Sequence, residues 1–341
     1  MVDADVLFCG NPTKQQARVH PYRHLARPCP GCSLIIVISL LAPGQGSQTP
    51  GMLASWLEQP GARDRIQLWS KASGLDLERL GTTATAEEIT DTAVTQPLVV
   101  ATALLAYEEL GARNLVPDDT IVAGHSVGEL AAAAIAGVIS ADEAVMLAAV
   151  RGAEMARACA IEPTGMSAVL GGNEEDVLAR LAELDLTPAN INAAGQIVAA
   201  GRLTALEELA ANAPEKARIR PLPVAGAFHT VFMAPAQEAV AEAAAKIVPS
   251  DPTRTLLSNS DGAPVTSGAD ALTKLAAQVT RPVRWDLCTA TLRAAEVSAV
   301  VELPPAGTLV GIAKREMRGT PTTALKTPEE ISALAESLRV G

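Results

Sequence analysis

The chain has 341 residues, 48% hydrophobic and 19% charged, which excludes a disordered polymer and allows one large domain with a smaller companion. With 38 acidic against 27 basic residues the formal charge is −11, which argues against nucleic acid as a general partner and gives no attraction to anionic membrane. Aromatics reach only 2%, five cysteines are scattered without framework spacing, and no apolar run is long enough to span a bilayer, so a core of Ala, Val, Leu and Ile in a reducing cytoplasm fits.

Residues 1–33 do not resemble the remainder of the chain. They hold Cys9, Cys29 and Cys32, two of the four histidines (His20 and His24), and prolines at 12, 21, 28 and 30. Cys29 and Cys32 make a single C-x-x-C knuckle without finger spacing, so no metal is expected. The segment reads as an N-terminal extension, either disordered or translated from an upstream start. Arg23 and Arg27 before Leu34–Ala42 imitate a signal peptide, but Asp3, Asp5 and the length of the leader speak against it. The β-branched run Ile35-Ile36-Val37-Ile38 reads instead as a buried parallel strand.

That strand runs into Pro43-Gly44-Gln45-Gly46-Ser47-Gln48, a Gly-rich loop where open α/β sheets place ligands, or an ordinary βα turn. No Lys-Ser/Thr pair follows, so a phosphate cradle is not expected. From Gly51 to Leu110 the apolar spacing is helical, and Gln96–Leu110 reads as one amphipathic helix capped by Gly111. Ile121–Ala123 is the end of a strand, and Glu129–Ile139 a helix. Between them stands Gly124-His125-Ser126-Val127-Gly128, a G-x-S-x-G turn in the strand-to-helix context of a nucleophile elbow. Such an elbow exposes the serine oxygen beside free N–H groups of a helix N-terminus. A glycine-flanked turn with an incidental serine is the bland alternative.

Ala141–Ala160 is the next helix, with Arg151 on its apolar side, four residues after Leu147 and four before Met155. A cation there must snorkel, pair with Glu154, or await a ligand carboxylate. Residues 165–225 then give strand, helix, two short strands, helix and strand. This βαββαβ order predicts a ferredoxin-like subdomain over 161–225, inserted into an α/β parallel-sheet core made of 34–160 and 226–341. Asn190 and Asn192 share one strand face, by turn chemistry or as ligand contacts.

Gly226-Ala227-Phe228-His229-Thr230 returns to the core. Beyond the extension the only histidines are His125, aimed away from Ser126 by the elbow, and His229, which leaves His229 as a general base or a satisfied core histidine. Gln278 and Pro282-Val283-Arg284-Trp285 follow, then a strand Val297–Leu303. Pro304-Pro305-Ala306-Gly307 opens a helix expected to carry Lys314, Arg315 and Arg318. With Arg281 and Arg284 these offer a docking patch for an acidic protein, or a solvated face.

Taken in order, Pro43–Gln48, Gln96-Pro97, Gly124–Glu129, Arg151-Gly152 with Met155, Gly226–His229, and Gln278 with Pro282–Trp285 resemble the malonyl-CoA:acyl carrier protein transacylases and the related acyltransferase domains of polyketide synthases. The resemblance covers about residues 34–340 and implies a hydrolase-like core. It implies a ping-pong transfer of malonyl from malonyl-CoA to the phosphopantetheine thiol of acyl carrier protein, with no cofactor and no metal. Ser126 would be the nucleophile and His229 the base, held by a backbone carbonyl at Gln278 rather than by a triad acid. Backbone N–H groups of Gln45 and Val127 would form the oxyanion hole, each such donor worth ~10²–10³ in rate. Arg151 would grip the malonyl carboxylate, with His125, Phe228 and Asn192 as further substrate-binding candidates. Phe228 matches the malonyl-selective form of its motif, though a methyl is worth only ~1–3 kcal/mol of discrimination. Leu41-Ala42-Pro43 lacks the aromatic that many relatives carry before the proline. A serine esterase or thioesterase is the rival enzyme, and a non-catalytic carrier-docking module the rival from another class.

Overall fold

The computed structural model describes residues 37–340, which fall within one compact unit. The reading of Cys29, Cys32, His20 and His24 as a metal knuckle, and the signal-peptide question, lie outside the described residues. The strands are β1 (Ile38–Ala42), β2 (Ile121–Gly124), β3 (Thr164–Gly171), β4 (Thr187–Ala193), β5 (Gln196–Arg202), β6 (Ala217–Pro221), β7 (Thr255–Leu257), β8 (Val283–Arg284), β9 (Ala299–Glu302) and β10 (Thr322–Ala324).

β1 and β2 are buried at every residue, as strands covered on both faces must be, and this explains their almost wholly apolar composition, with Ser39 the one hydroxyl among them. They form the centre of a parallel sheet of order β10-β9-β1-β2-β7. The helices Thr92–Ala112, Gly128–Ile135 and Ala141–Cys159 pack together beside this sheet. The second sheet has the order β6-β3-β5-β4-β8, antiparallel from β6 through β4, with helices Glu174–Glu183 and Leu203–Ala211 in its connections. β8, which comes from the later part of the chain, adds to it in parallel through Asn190↔Val283 and Ile191↔Arg284. The chain is thus a mixed α/β fold with a parallel core sheet and a second sheet.

Several boundaries differ from the sequence reading. The helix after the elbow stops at Ile135 rather than Ile139, because Gly137 takes φ +81° and turns the chain. Gly111 is not a cap: the helix begins four residues earlier, at Thr92, runs through Gly111 to Ala112, and is followed by Asn114 at φ 55°. Asp91 caps its start by accepting from the Ala93 N–H, and this cap, not the apolar period, sets the first turn. Arg318 lies beyond its helix, which spans Thr308–Glu316.

The carboxyl ends of β1, β2, β7 and β9 lead respectively into the Gly44–Gln48 loop, the elbow, Ser258-Asn259 and the turn before Thr308. An open parallel sheet presents its ligand crevice at that edge. The elbow is tight enough to require its glycines. A Cβ on Gly124 would stand 2.1 Å from the Gly128 carbonyl carbon, and one on Gly128 would stand 2.3 Å from the Ala42 oxygen. Gly124→Ala is therefore expected to destabilise the protein by about 3 kcal/mol or more, since only backbone can give way there. A urea unfolding midpoint unchanged from wild type would contradict this packing.

Candidate active site

Ser126 sits between strand and helix with φ 54°, a conformation that L-residues resist. Asn259, fully buried at the end of β7, holds it there. Its Oδ1 accepts the Ser126 N–H at 2.9 Å, and its Nδ2 donates to the Gly124 carbonyl at 2.7 Å.

His229 reaches the same point from the loop after the second sheet, also in a left-handed conformation, φ 61°. Its Nε2 is 2.8 Å from Ser126 Oγ and its Nδ1 2.8 Å from the Gln278 carbonyl oxygen. A carbonyl only accepts, so Nδ1 carries the proton and the Nε2 lone pair faces the serine hydroxyl. Burial, and then the neighbouring Arg151 cation, hold this imidazole far below its ordinary range, at about 3. It is a neutral imidazole throughout the physiological range.

Arg151 is only 2% exposed. Its helix is fixed by a capping box in which Ser140 Oγ accepts from Glu143 N–H and Glu143 accepts from Ser140 N–H. Gly152 lets this helix approach Thr92–Ala112 so closely that a Cβ would come within 2.7 Å of the Thr92 oxygen. The approach brings Gln96 Oε1 to 2.7 Å from Arg151 Nη1. Arg151 Nη2 donates to Gln278 Oε1 at 3.0 Å and to Ser126 Oγ at 3.3 Å. Among the described residues its bonded partners are these neutral oxygens, none of them a carboxylate. Glu154 pairs with Arg157 instead. Burial lowers the guanidinium to about 10, so it remains a cation at neutral pH.

Ser126, Arg151 and His229 line one cavity of about 400 Å³ between the two sheets. Gln45, His125, Asn192 and Phe228 also line it. Among the described residues the N–H groups of Gln45 and Val127 have no acceptor, while Gly128, Glu129 and Leu130 donate back along the turn. The Gln45 side chain donates to Thr92 Oγ1 at 3.2 Å. His125 turns away from Ser126: its Nε2 meets Asn192 Oδ1 at 2.9 Å, and its ring stands edge-on to Trp285 with centroids 5.5 Å apart. Phe228 is buried in a cluster that includes Met155 and Met166. The proposed basic patch is less uniform than the sequence suggests, because Arg284 is paired with Asp286 at 2.7 Å. Among the described residues no group of three or more His, Cys, Asp or Glu could hold a metal ion, and no helix is long and apolar enough to cross a membrane.

The acyl transferase domain family matches residues 40–331. The chain belongs to that family, among the malonyl CoA-acyl carrier protein transacylases. The acyl transferase is 69% identical over 300 residues to the malonyl CoA-acyl carrier protein transacylase of Mycobacterium bovis, covering 88% of this chain and 99% of that one. It is 34% identical over 298 residues to the Salmonella typhimurium protein of the same name, covering 85% and 96%. Its structure is similar to the crystal structure of MCAT from Mycobacterium tuberculosis, at 69% identity and a TM-score of 0.86 over 88% of this chain and 99% of that one.

Three residues of this acyl transferase site had no role in the sequence reading. Gln96 was visible only as part of a Gln-Pro pair. Glu129 could have been found: it is a lone acid beginning the run Leu-Ala-Ala-Ala-Ala-Ile, and it is 3% exposed. Burial lifts its carboxyl to about 7, opposed by hydrogen bonds from Asn259 and Gln278 and by the Arg151 cation. Asn259 carried no signal, because Ser258-Asn259-Ser260-Asp261-Gly262 looks like any polar turn.

The neutral His229 has a kinetic consequence. Phosphonate labelling of Ser126 is expected to hold its rate as pH falls through the ordinary imidazole range near 6.5, because protonation of the base is deferred towards 3. Labelling that is halved near pH 6.5 would contradict the buried, neutral imidazole. In His229→Ala the rate is expected to fall ~10²–10⁴-fold.

Proposed function

We propose that this acyl transferase carries malonyl from malonyl-CoA to the phosphopantetheine thiol of acyl carrier protein through a malonyl ester on Ser126, for fatty acid synthesis. Ser126 Oγ attacks the thioester carbonyl as its proton passes to His229 Nε2. The oxyanion is received by the free N–H groups of Gln45 and Val127. The C–S bond breaks, the imidazolium returns the proton to the departing thiolate, and free CoA leaves. The carrier thiol then repeats the sequence on the serine ester. Gln278 holds the His229 tautomer throughout with its backbone carbonyl.

The observation that carries this reading is Arg151, a buried cation bonded only to neutral oxygens and to the hydroxyl of Ser126. It leaves a positive charge awaiting an anion within one acyl length of the nucleophile, which the free carboxylate of a malonyl group supplies. Pairing with that carboxylate also removes the cationic field that suppresses His229 basicity, so the correct substrate strengthens its own base. Phe228 occupies the space that an α-methyl would need, and His125 and Asn192 line the acyl path. An esterase or thioesterase would share the elbow but has no use for this arginine.

We read the core as hydrolase-like and residues 161–225 as a ferredoxin-like subdomain, supported by the parallel order through β2 and the antiparallel order β6-β3-β5-β4. The core then comprises 34–160 and 226–341. A cytoplasmic location and independence from cofactors accord with the sparse cysteines and with a mechanism that requires only side chains and backbone amides.

Intact mass after mixing with malonyl-CoA should show one malonyl adduct on the wild type and none on Ser126→Ala; an adduct surviving that change would remove the mechanism. Arg151→Ala should lower malonyl kcat/KM by about two orders of magnitude while acetyl transfer holds or improves. Equal losses on both thioesters would exclude the carboxylate grip.

A further inference from the structure

The site contains a buried acid that the proposed reaction does not use. Glu129 occupies the first turn of helix Gly128–Ile135, where a carboxylate is favoured by the helix dipole. Its two oxygens reach both arms of the site. Oε1 accepts from the Asn259 N–H at 2.9 Å, and Asn259 in turn holds the Ser126 N–H. Oε2 accepts from Gln278 Nε2.

Gln278 is the junction of this arrangement. Its backbone oxygen holds His229, its side-chain oxygen accepts from Arg151 at 3.0 Å, and its side-chain nitrogen faces Glu129. The amide nitrogen also lies 3.1 Å from the Ser126 carbonyl and 3.1 Å from Asn259 Oδ1. A carboxylate can only accept and a guanidinium can only donate, so the amide between them has one allowed orientation. Turned over, it would set oxygen against carboxylate and NH₂ against guanidinium.

This geometry differs from a salt bridge in a way that matters for substrate. If Glu129 touched Arg151, the cation would be satisfied and a malonyl carboxylate would have to displace an internal acid. With an amide interposed, the acid offsets the buried charge at a distance and leaves the guanidinium without a bonded anion.

We propose that Glu129 is a positioning residue for substrate selection: it orients the Gln278 amide, and the amide keeps the acid one group away from Arg151 so that the arginine stays open to the substrate carboxylate. The proposal rests on the malonyl-transfer reading. It assigns Glu129 no contact with substrate and gives the Gln278 side chain a task separate from that of its backbone carbonyl.

The test is the rate of Ser126 acylation by malonyl-CoA and by acetyl-CoA, followed by intact mass at about pH 8, above the value of about 7 to which burial lifts the Glu129 carboxyl. In Glu129→Gln the amide loses its charged acceptor while Ser126 O and Asn259 Oδ1 remain, and the malonyl-to-acetyl preference should narrow about tenfold. In Gln278→Glu an acid sits directly on Arg151, His229 keeps its backbone acceptor, and the preference should narrow about a hundredfold. The double variant E129Q/Q278E restores the number of buried charges but not their spacing, so the preference should stay narrow.

Loss of both thioester activities in equal proportion in Glu129→Gln would reduce Glu129 to a structural role and overturn the proposal. Recovery of the malonyl preference in the double variant would do the same, since charge count alone would then suffice. Should Glu129→Gln fail to fold, Gln278→Glu decides: wild-type malonyl preference in that variant overturns the proposal. Arg151→Ala separates the two levels. If it leaves the malonyl preference intact, the underlying substrate reading fails. If it abolishes the preference while Glu129→Gln does not alter it, only the present inference fails.

Discussion

A guanidinium buried to 2% exposure, with amide and hydroxyl oxygens as its bonded partners, is the constraint around which the rest of this molecule is arranged. An unpaired charge in such a place is tolerated only if the surroundings hold it by hydrogen bonds and a counter-charge lies near. The close approach of two helices at Gly152 supplies one oxygen, from Gln96. The segment Gln278–Thr280, which follows helix Gly268–Ala277, supplies another, and the Glu129 carboxyl lies just beyond it. Three separate stretches of chain therefore meet around one buried cation without bonding an acid to it.

The same network accounts for the strained backbone. Ser126 and His229 both adopt positive φ, each about as unfavourable as such conformations are for any non-glycine residue. Both are tied into the network around Arg151: Asn259 grips the Ser126 amide and meets the Gln278 side chain, and Gln278 grips His229 through one oxygen and Arg151 through the other. Strain at Ser126, the tautomer of His229 and the placement of the Arg151 cation are thus set together. In the proposed mechanism this coupling lets substrate charge act on the base without any moving part.

Much of this could be read in the sequence because local rules govern it. Apolar runs marked β1, β2 and β9 but not the three-residue strands β7 and β10, and the glycines of the elbow announced a turn that no larger residue could make. Arg151 betrayed itself by its place in an apolar helical stripe, and His229 stood out among few histidines. The misplaced boundaries, at Ile135 against Ile139 and at Thr92 against Gln96, fell where a cap or a left-handed glycine outweighs periodicity.

What the sequence by itself determined was the central strands, the elbow with its flanking helices, the order of elements in the second sheet, and Ser126, Arg151 and His229 as candidates, since these depend on neighbours within a turn or a strand. Only the tertiary structure decided what Arg151 and His125 are bonded to, and that Glu129, Asn259 and the Gln278 side chain join one network. Those partners lie 127, 130 and 149 residues apart along the chain. Hydrogen bonds of that span leave no period, cap or spacing in the sequence; they exist only after packing has brought distant acceptors to a few ångströms from one buried charge.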